Sequence, residues 1–133
     1  EYFPKKRIID LDLKKNDKIP YEGILHLDCT FNPIGKDKCI IYKNGFVDES
    51  DYELVVDIFG EENCFNITDE EMFEMNPNIF SISPEVVVSD ETFTRMNDFL
   101  RNEWGFTVEE IPYREISKMG GLLRCSTMPL VRE

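Results

Sequence analysis

The chain has one histidine and one tryptophan among its 133 residues, and it has no long run of apolar side chains. A membrane-spanning helix needs about 20 consecutive apolar residues, so none is predicted and no membrane partner is expected. None of the four cysteines (Cys29, Cys39, Cys64 and Cys125) forms a C-x-x-C pair with another. One histidine cannot complete a plausible zinc set with them. The sequence therefore predicts no metal site, and no cofactor is expected.

Basic residues are also scarce. Lysine and arginine number 15 against 27 aspartates and glutamates, which gives a formal net charge of −12. Because phosphate binding needs clustered basic side chains, nucleic acid is not an expected partner. Between Val47 and Asn76 there are eleven acidic residues and no lysine or arginine. We interpret them as solvated faces of two short helices, and the functional alternative is a negative field that attracts a cationic substrate.

The first seven residues contain a basic cluster with no apolar stretch after it, so no signal peptide is expected. The chain does not begin with methionine, which predicts that it starts inside a longer polypeptide. Its length and its 41% hydrophobic content are sufficient for a globular core. Such a core does not need disulfides, so we expect free thiols in a reducing cytoplasm.

Hydrophobic spacing and turn residues predict alternating strands and helices. Strands are expected at 8–13, 24–31, 38–42, 64–67, 79–82, 85–88 and 106–111, with a turn at 32–35. Helices are expected after capping sequences at Ser50 and Thr68, over 90–104 behind Ser89, and as a short segment at 113–118. The order of these elements indicates an α/β fold built from recurring ββαβ-like units. The helix over 90–104 would place an aromatic stripe, which includes Phe93, Phe99 and Trp104, in the core.

The segment 24–31 contains the single histidine. Side chains alternate along a strand, so His26, Asp28 and Thr30 would share a polar face while Cys29 would face the core. This face makes His26 a candidate for proton transfer. A structural role for the histidine is the alternative.

Cys125 follows a Gly120-Gly121 step, at which the backbone can bend sharply and approach a ligand closely. The positive charge of the adjacent Arg124 would favour the thiolate. A cysteine and a histidine that are distant in sequence but joined by the fold form a nucleophile and base pair. A small buried cysteine is the alternative, and the residues alone leave both open.

Two segments carry a resemblance to a known family. The run His26-Leu27-Asp28-Cys29-Thr30-Phe31-Asn32 resembles the H-[LIV]-D-x-[TV]-F motif of the amidinotransferase and arginine deiminase superfamily. The run from Gly120 through Cys125-Ser126-Thr127-Met128-Pro129-Leu130 to Arg132 resembles its C-terminal catalytic-cysteine segment. The resemblance covers about residues 21–133 and implies a five-bladed α/β propeller of ββαβ modules. Residues 1–133 would supply about two modules, as the C-terminal part of a single catalytic domain whose N-terminal half is absent.

The resemblance also implies the chemistry. Cys125 would attack the central carbon of an arginine-like guanidino group, and His26 would transfer protons, through a covalent amidino-thioether. Asp28 would bind a guanidinium nitrogen, or else orient His26 or satisfy backbone amides. Arg124 would contact a substrate carboxylate or point outward. Cys29 is interpreted as structural.

The reaction type is left between two classes. The residues around Cys125 look closer to hydrolytic deiminases, whereas Thr30-Phe31-Asn32 looks closer to transferases, and hydrolysis is favoured. A non-catalytic binding module that keeps the fold is the alternative of another class. The family's third catalytic acid and second guanidinium-binding carboxylate lie in the half that is absent here. The isolated chain is therefore expected to be inactive, with a small guanidino substrate and the rest of the enzyme, or a companion fragment, as partners.

Overall fold

The first of two three-stranded sheets is formed by the N-terminal half of the chain in the computed structural model, which describes residues 8–19 and 23–128. It contains β1 (Phe31–Ile34), β2 (Lys38–Ile41) and β3 (Cys64–Asn66), with helix α1 (Glu49–Phe59) between β2 and β3. Strand β1 is antiparallel to β2, and β2 is parallel to β3. A parallel pair needs a long crossover, and α1 provides it.

The second sheet repeats this order. It contains β4 (Phe80–Ser81), β5 (Val86–Asp90) and β6 (Thr107–Ile111), with helix α3 (Thr94–Asn102) between β5 and β6. Strand β4 is antiparallel to β5, and β5 is parallel to β6. Helix α2 (Asp69–Phe73) connects the two units, and α4 (Arg114–Ser117) leads to the Cys125 segment. The order of elements in the two units confirms the prediction of an α/β chain with recurring ββαβ units. The described residues form two open sheets.

The two units share one large apolar core. Ile40 and Phe65 of the first unit belong to the same buried cluster as Val87, Met96 and Leu100 of the second unit. Each such side chain contributes about 1.5–3 kcal/mol when fully buried. The predicted aromatic stripe is part of this core. Its rings pack from one unit onto the other, with the centroids of Phe65 and Phe99 4.7 Å apart and Trp104 edge-on to both.

Polar contacts reinforce this packing around α2. The Thr68 capping box is confirmed: the Thr68 hydroxyl accepts the Glu71 N–H at 3.3 Å, and Glu71 Oε2 accepts the Thr68 N–H at 2.9 Å. Arg95 of α3 donates to both oxygens of Glu71 and to the carbonyl of Asn66. Burial disfavours the charged form of Glu71, but its hydrogen bonds with Arg95 and with the Thr68 N–H, together with the positive charge of Arg95, outweigh that effect. The pKa of Glu71 is therefore lowered.

Most of the acidic residues between 47 and 76 are exposed, in agreement with the predicted solvated helix faces. Glu71 and Glu74 differ, because they form ion pairs with Arg95 and Arg114. These pairs join α2 to α3 and α4. The acidic stretch is thus mostly solvent-facing, and its members Glu71 and Glu74 join α2 to neighbouring helices.

Two predicted helix starts are wrong. Helix α1 begins at Glu49 after Asp48, so Ser50 is not its cap, and the carboxylate of Asp51 accepts the Asp12 N–H at 2.9 Å. Ser89 does not begin a helix over 90–104, because β5 pairs with β6 as far as Asp90. The buried Asp90 carboxylate accepts the Thr92 N–H at 2.9 Å and that of Tyr113 at 2.8 Å. The pairing with β6 and the bond from Tyr113 hold Asp90 in the strand, and α3 begins only at Thr94.

The strand predicted at 8–13 is also wrong. Only Leu13 pairs, through an isolated bridge to Phe46. Ile8 is 85% exposed, so this stretch lacks the half-buried face that stabilises a strand. Within the described residues, no helix has the length and apolar character needed to cross a membrane.

Candidate functional site

The segment that precedes β1 is not the strand that alternation predicted. Residues Leu27–Cys29 form a 3-10 helix, closed by bonds from the N–H of Cys29 to the carbonyl of His26 and from Thr30 to Leu27. Leu25 and Leu27, expected on the core face, are 59% and 43% exposed. Strand pairing in the first sheet begins only at Phe31. Without a ladder partner among the described residues, the N–H groups of Cys29 and Thr30 form these local bonds instead.

Thr30 is buried, so the predicted polar face of His26, Asp28 and Thr30 is wrong as a set. Its hydroxyl donates to the carbonyl of Tyr42 at 3.0 Å and so fixes the segment against the end of β2. Cys29 is buried, as predicted. Burial is the main cause that raises the pKa of the Cys29 thiol, which suits a structural role.

Asn32 does not lie in a turn. Residues 32–34 belong to β1, the edge strand of its sheet, where Pro33 can be accommodated. The buried Asn32 amide donates to the carbonyls of Pro77 at 2.6 Å and Ile79 at 3.0 Å. Asn32 therefore clamps the backbone on both sides of Asn78.

Asn78 is fully buried and organises the Cys125 segment. Its Oδ1 accepts the N–H groups of Leu122 at 3.0 Å and Cys125 at 3.2 Å. Its backbone carbonyl accepts the N–H of Arg124 at 3.0 Å. Its Nδ2 lies 3.2 Å from Cys125 Sγ, in position to donate. Two backbone donors require an oxygen acceptor, and this requirement sets the orientation of the amide.

Cys125 is an exposed free thiol at the end of this loop. Gly120 has φ +85, a conformation that residues with a Cβ adopt only at a cost. A Cβ at Gly121 would lie 3.0 Å from the Cβ of Cys125, tighter than ordinary contact. The predicted sharp bend at the Gly-Gly step is therefore present, and at Gly121 the backbone lies close to Cys125.

Asp28 and Cys125 meet in space although 97 residues separate them in sequence. The distance from Cys125 Sγ to Asp28 Oδ2 is 3.8 Å. Asp28 is half-exposed, at the first turn of the 3-10 helix. A thiol and a carboxylate are thus presented side by side at the surface.

The side chains of His26 and Arg124 are less closely associated with Cys125 than that of Asp28 is. His26 is exposed and lies two residues before Asp28, where its backbone carbonyl accepts the Cys29 N–H at 3.1 Å. Arg124 is half-buried, and its backbone binds Asn78. Among residues 8–19 and 23–128, no hydrogen bond or ion pair joins either side chain to Cys125. The last part of the resemblance, residues 129–132, lies outside the described residues.

A pocket of about 840 Å³ lies beside the site. Cys29 and Gly120 line it, together with Lys15, Met72 and Arg114, whereas Cys125 does not. The thiol therefore opens to the surface beside this pocket. In the described part of the chain, no three histidine, cysteine or acidic side chains cluster in a way that would hold a metal ion.

Asn78 is the residue that sequence reasoning missed. The stretch around Asn76-Pro77 is typical of a loop, and a loop asparagine is usually interpreted as turn chemistry. Its importance comes from contacts with residues 44 and 47 positions later. One sequence signal was present, a polar residue placed directly before the apolar pair Ile79-Phe80, at which β4 begins.

Comparison of the sequence with known proteins identifies its family. The sequence model of the arginine deiminase family matches residues 45–132, which is more than half of the chain. A relative from Bacillus subtilis (strain 168), the uncharacterized protein YkgA, is 31% identical over 113 residues. That alignment covers 84% of this chain and 37% of YkgA, so the chain spans little more than a third of its relative.

Solved structures show the same fold. The N-terminal domain of ArgZ, an arginine dihydrolase from the ornithine-ammonia cycle in cyanobacteria, was solved with bound product. It is similar with a TM-score of 0.79 at 20% identity, covering 98% of this chain and 46% of that one. An asparagine-to-serine variant of that domain was solved covalently bound to a reaction intermediate.

A second enzyme type shares the fold. SxtG, an amidinotransferase from Microseira wollei in the saxitoxin biosynthetic pathway, has a TM-score of 0.65 at 17% identity, covering 83% of this chain and 32% of that one. The two ββαβ units, the matched stretch 45–132 and the joined motif segments point to the same conclusion. This chain belongs to the arginine deiminase family, within the amidinotransferase and arginine deiminase superfamily.

Proposed function

We propose that the chain is the C-terminal part of an enzyme that cleaves a C–N bond of an arginine-like guanidino group, with Cys125 as the nucleophile. The observation that carries the proposal is the 3.8 Å contact between Cys125 Sγ and Asp28 Oδ2. A carboxylate accepts two N–H bonds from the planar guanidinium group, and a substrate held in this way would present its central carbon to the adjacent sulfur.

The chemistry uses two steps. The Cys125 thiolate attacks the guanidinium carbon, and the C–N bond breaks as His26 gives a proton to the departing nitrogen, which leaves as ammonia or an amine. The amidino carbon stays bonded to sulfur. Water then gives a proton to the neutral His26 and attacks this carbon, the C–S bond breaks, and the thiolate returns.

The position of His26 supports its role, because it is exposed only two residues from Asp28. The position of Arg124 is compatible with binding a substrate carboxylate, because its backbone is fixed by Asn78 while its side chain is half-exposed. The negative charge of residues 47–76 would add a field that attracts a cationic substrate.

Hydrolysis is the favoured reaction, since the chain matches the arginine deiminase family and resembles an arginine dihydrolase domain. Transfer of the amidino group to an amine is the second candidate, because an amidinotransferase shares the fold. The proposal also includes the fold of the whole enzyme, which would be a five-bladed propeller with about two of its modules in residues 1–133. Upstream chain, or a companion fragment, would supply the other carboxylates. Four free thiols fit a cytoplasmic location.

The test is a mass measurement on the full-length protein. Incubation with L-arginine and other guanidino compounds, with and without an amine acceptor, should add to the peptide that contains Cys125 the mass of the substrate minus the ammonia or amine that departs. Cys125→Ala should abolish both the adduct and turnover. Cys64→Ala, which removes a half-buried thiol on β3, is the matched control and should retain both.

Ammonia or amine released without an acceptor identifies a hydrolase, and release that depends on the acceptor identifies a transferase. Full turnover by Cys125→Ala would refute the nucleophile assignment. A folded full-length protein that forms no adduct with any guanidino compound would support a non-catalytic module.

A further inference from the structure

Two buried asparagine side chains connect the segment that contains Asp28 to the segment that contains Cys125. Asn32 follows Asp28 by four positions and holds the carbonyls of Pro77 and Ile79. Asn78, between them, then holds the backbone of the Cys125 loop. The two site segments are thus positioned through a third, which belongs to neither motif.

We propose that Asn78 is the positioning residue for Cys125 and that its Nδ2–H group stabilises the Cys125 thiolate. This inference rests on the proposed role of Cys125 as nucleophile. Both oxygen bonds of the amide go to backbone N–H groups of the loop, so its nitrogen faces Sγ at 3.2 Å. An N–H donor aimed at a sulfur favours its charged form.

Burial and hydrogen bonds also fix the position of the Asn78 amide. Asn78 is 0% exposed and binds three successive points of the loop, at Leu122, Arg124 and Cys125. Its side-chain amide cannot rotate away from the sulfur without breaking the two bonds that its oxygen accepts from Leu122 and Cys125. The donor is therefore already in place before a substrate binds.

Asp28 acts in the opposite direction. Its carboxylate lies 3.8 Å from the same sulfur, and a like charge at that distance disfavours a thiolate. The Asn78 donor partly offsets this repulsion. Hence the pH dependence of Cys125 reactivity, in the absence of substrate, should report on Asn78.

The experiment measures the rate at which iodoacetamide alkylates Cys125 between pH 6 and 10 in the full-length protein, followed on the Cys125 peptide by mass spectrometry. Asn78→Ala removes the donor and the acceptor. We expect the alkylation profile to move at least about one unit to higher pH, and the rate at pH 7 to fall about tenfold or more.

Asn78→Asp separates the electronic role from a structural one. It keeps an oxygen for the two backbone N–H groups but replaces the donor to sulfur with a second oxygen. The two N–H bonds favour the ionised carboxylate. Its profile should therefore move in the same direction as that of Asn78→Ala. If Asn78→Asp alkylates as the unaltered protein does, the loop needs only the oxygen, and the donor role is refuted.

Asn44→Ala is the matched control, since this exposed asparagine binds Asp69 away from the site, and its profile should be unchanged. Melting curves establish that each variant is folded. Should Asn78→Ala fail to fold, Asn78→Asp decides the question alone. Because alkylation needs no substrate, these outcomes are independent of whether the guanidino adduct forms.

Discussion

At the scale of single residues, Asp28 and Asn78 have opposite electrostatic effects on the sulfur atom of Cys125. Asp28, 3.8 Å from Cys125 Sγ, suits a cationic substrate but repels a thiolate. Asn78, with Nδ2 at 3.2 Å, favours the thiolate. A bound guanidinium would neutralise the carboxylate and remove the repulsion. The arrangement therefore predicts opposite effects of Asp28 on substrate turnover and on simple thiol reactivity.

Asp28→Asn tests this opposition, because it keeps the shape of the side chain and removes its charge. We expect kcat/KM for an arginine-like substrate to fall by about 10- to 150-fold, the range for losing a charged hydrogen bond. Alkylation of Cys125 by iodoacetamide should become faster at neutral pH. Asp57→Asn, an exposed change on α1, is the control for net charge. Slower alkylation in Asp28→Asn would contradict the assigned electrostatics.

At the scale of elements, helix α2 is short and depends on its first turn. Three acidic residues, Asp69, Glu70 and Glu71, occupy that turn, where negative charge interacts favourably with the helix dipole. Only Glu71 also closes the capping box and pairs with Arg95. Because α2 connects the two ββαβ units, the charge of Glu71 influences how they are held together.

The lowered pKa of Glu71 gives this contact a pH dependence. A carboxyl group whose pKa is lower in the folded state stabilises the fold above its unfolded pKa, near 4.5, and loses that contribution as pH falls through the folded value. Glu71→Gln should lower stability by about 1 kcal/mol at pH 7. The deficit should shrink as the pH falls below about 4.5.

Thermal melts of the two proteins between pH 3 and 7 measure this difference. The neighbouring Glu70→Gln changes an exposed residue of the same helix and should show a smaller and flatter deficit. A deficit for Glu71→Gln that stays constant or grows towards pH 3 would show that its charge is not what stabilises α2.

At the scale of the whole molecule, two like units share one core and present one exposed cysteine beside one carboxylate. The chain spans 37% of YkgA and 46% of the ArgZ domain chain. The proposed site needs further acidic groups to hold a guanidinium from other sides. Residues 1–133 therefore contain one part of the proposed active site.

We expect residues 1–133, expressed alone, to give no turnover of guanidino substrates under conditions in which the full-length protein is active. Alkylation of Cys125 and a cooperative melt show whether the shorter protein is folded. Adding the proposed upstream part of the protein as a separate polypeptide should restore some turnover if the two associate. Turnover by residues 1–133 at the rate of the full-length protein would refute the shared site.

The sequence by itself determined the ββαβ order, the Thr68 capping box and the buried aromatic stripe, because each follows from local spacing. It also identified Asp28 and Cys125 as separate candidates. The boundaries that failed have tertiary causes. Asp90 stays in β5 because it pairs with Ile111 and binds Tyr113, and neither partner is close in sequence.

Only the tertiary structure decided that Asp28 and Cys125 meet and that Asn78 connects the segments. These contacts span 44 to 97 residues, and their geometry depends on how the two units pack. The segment 24–31 shows the same limit: alternation predicted a strand, but backbone without a ladder partner closed a 3-10 helix that places Asp28 beside the sulfur. Local pattern supplied the reactive groups, and packing of the shared core supplied the distances between them.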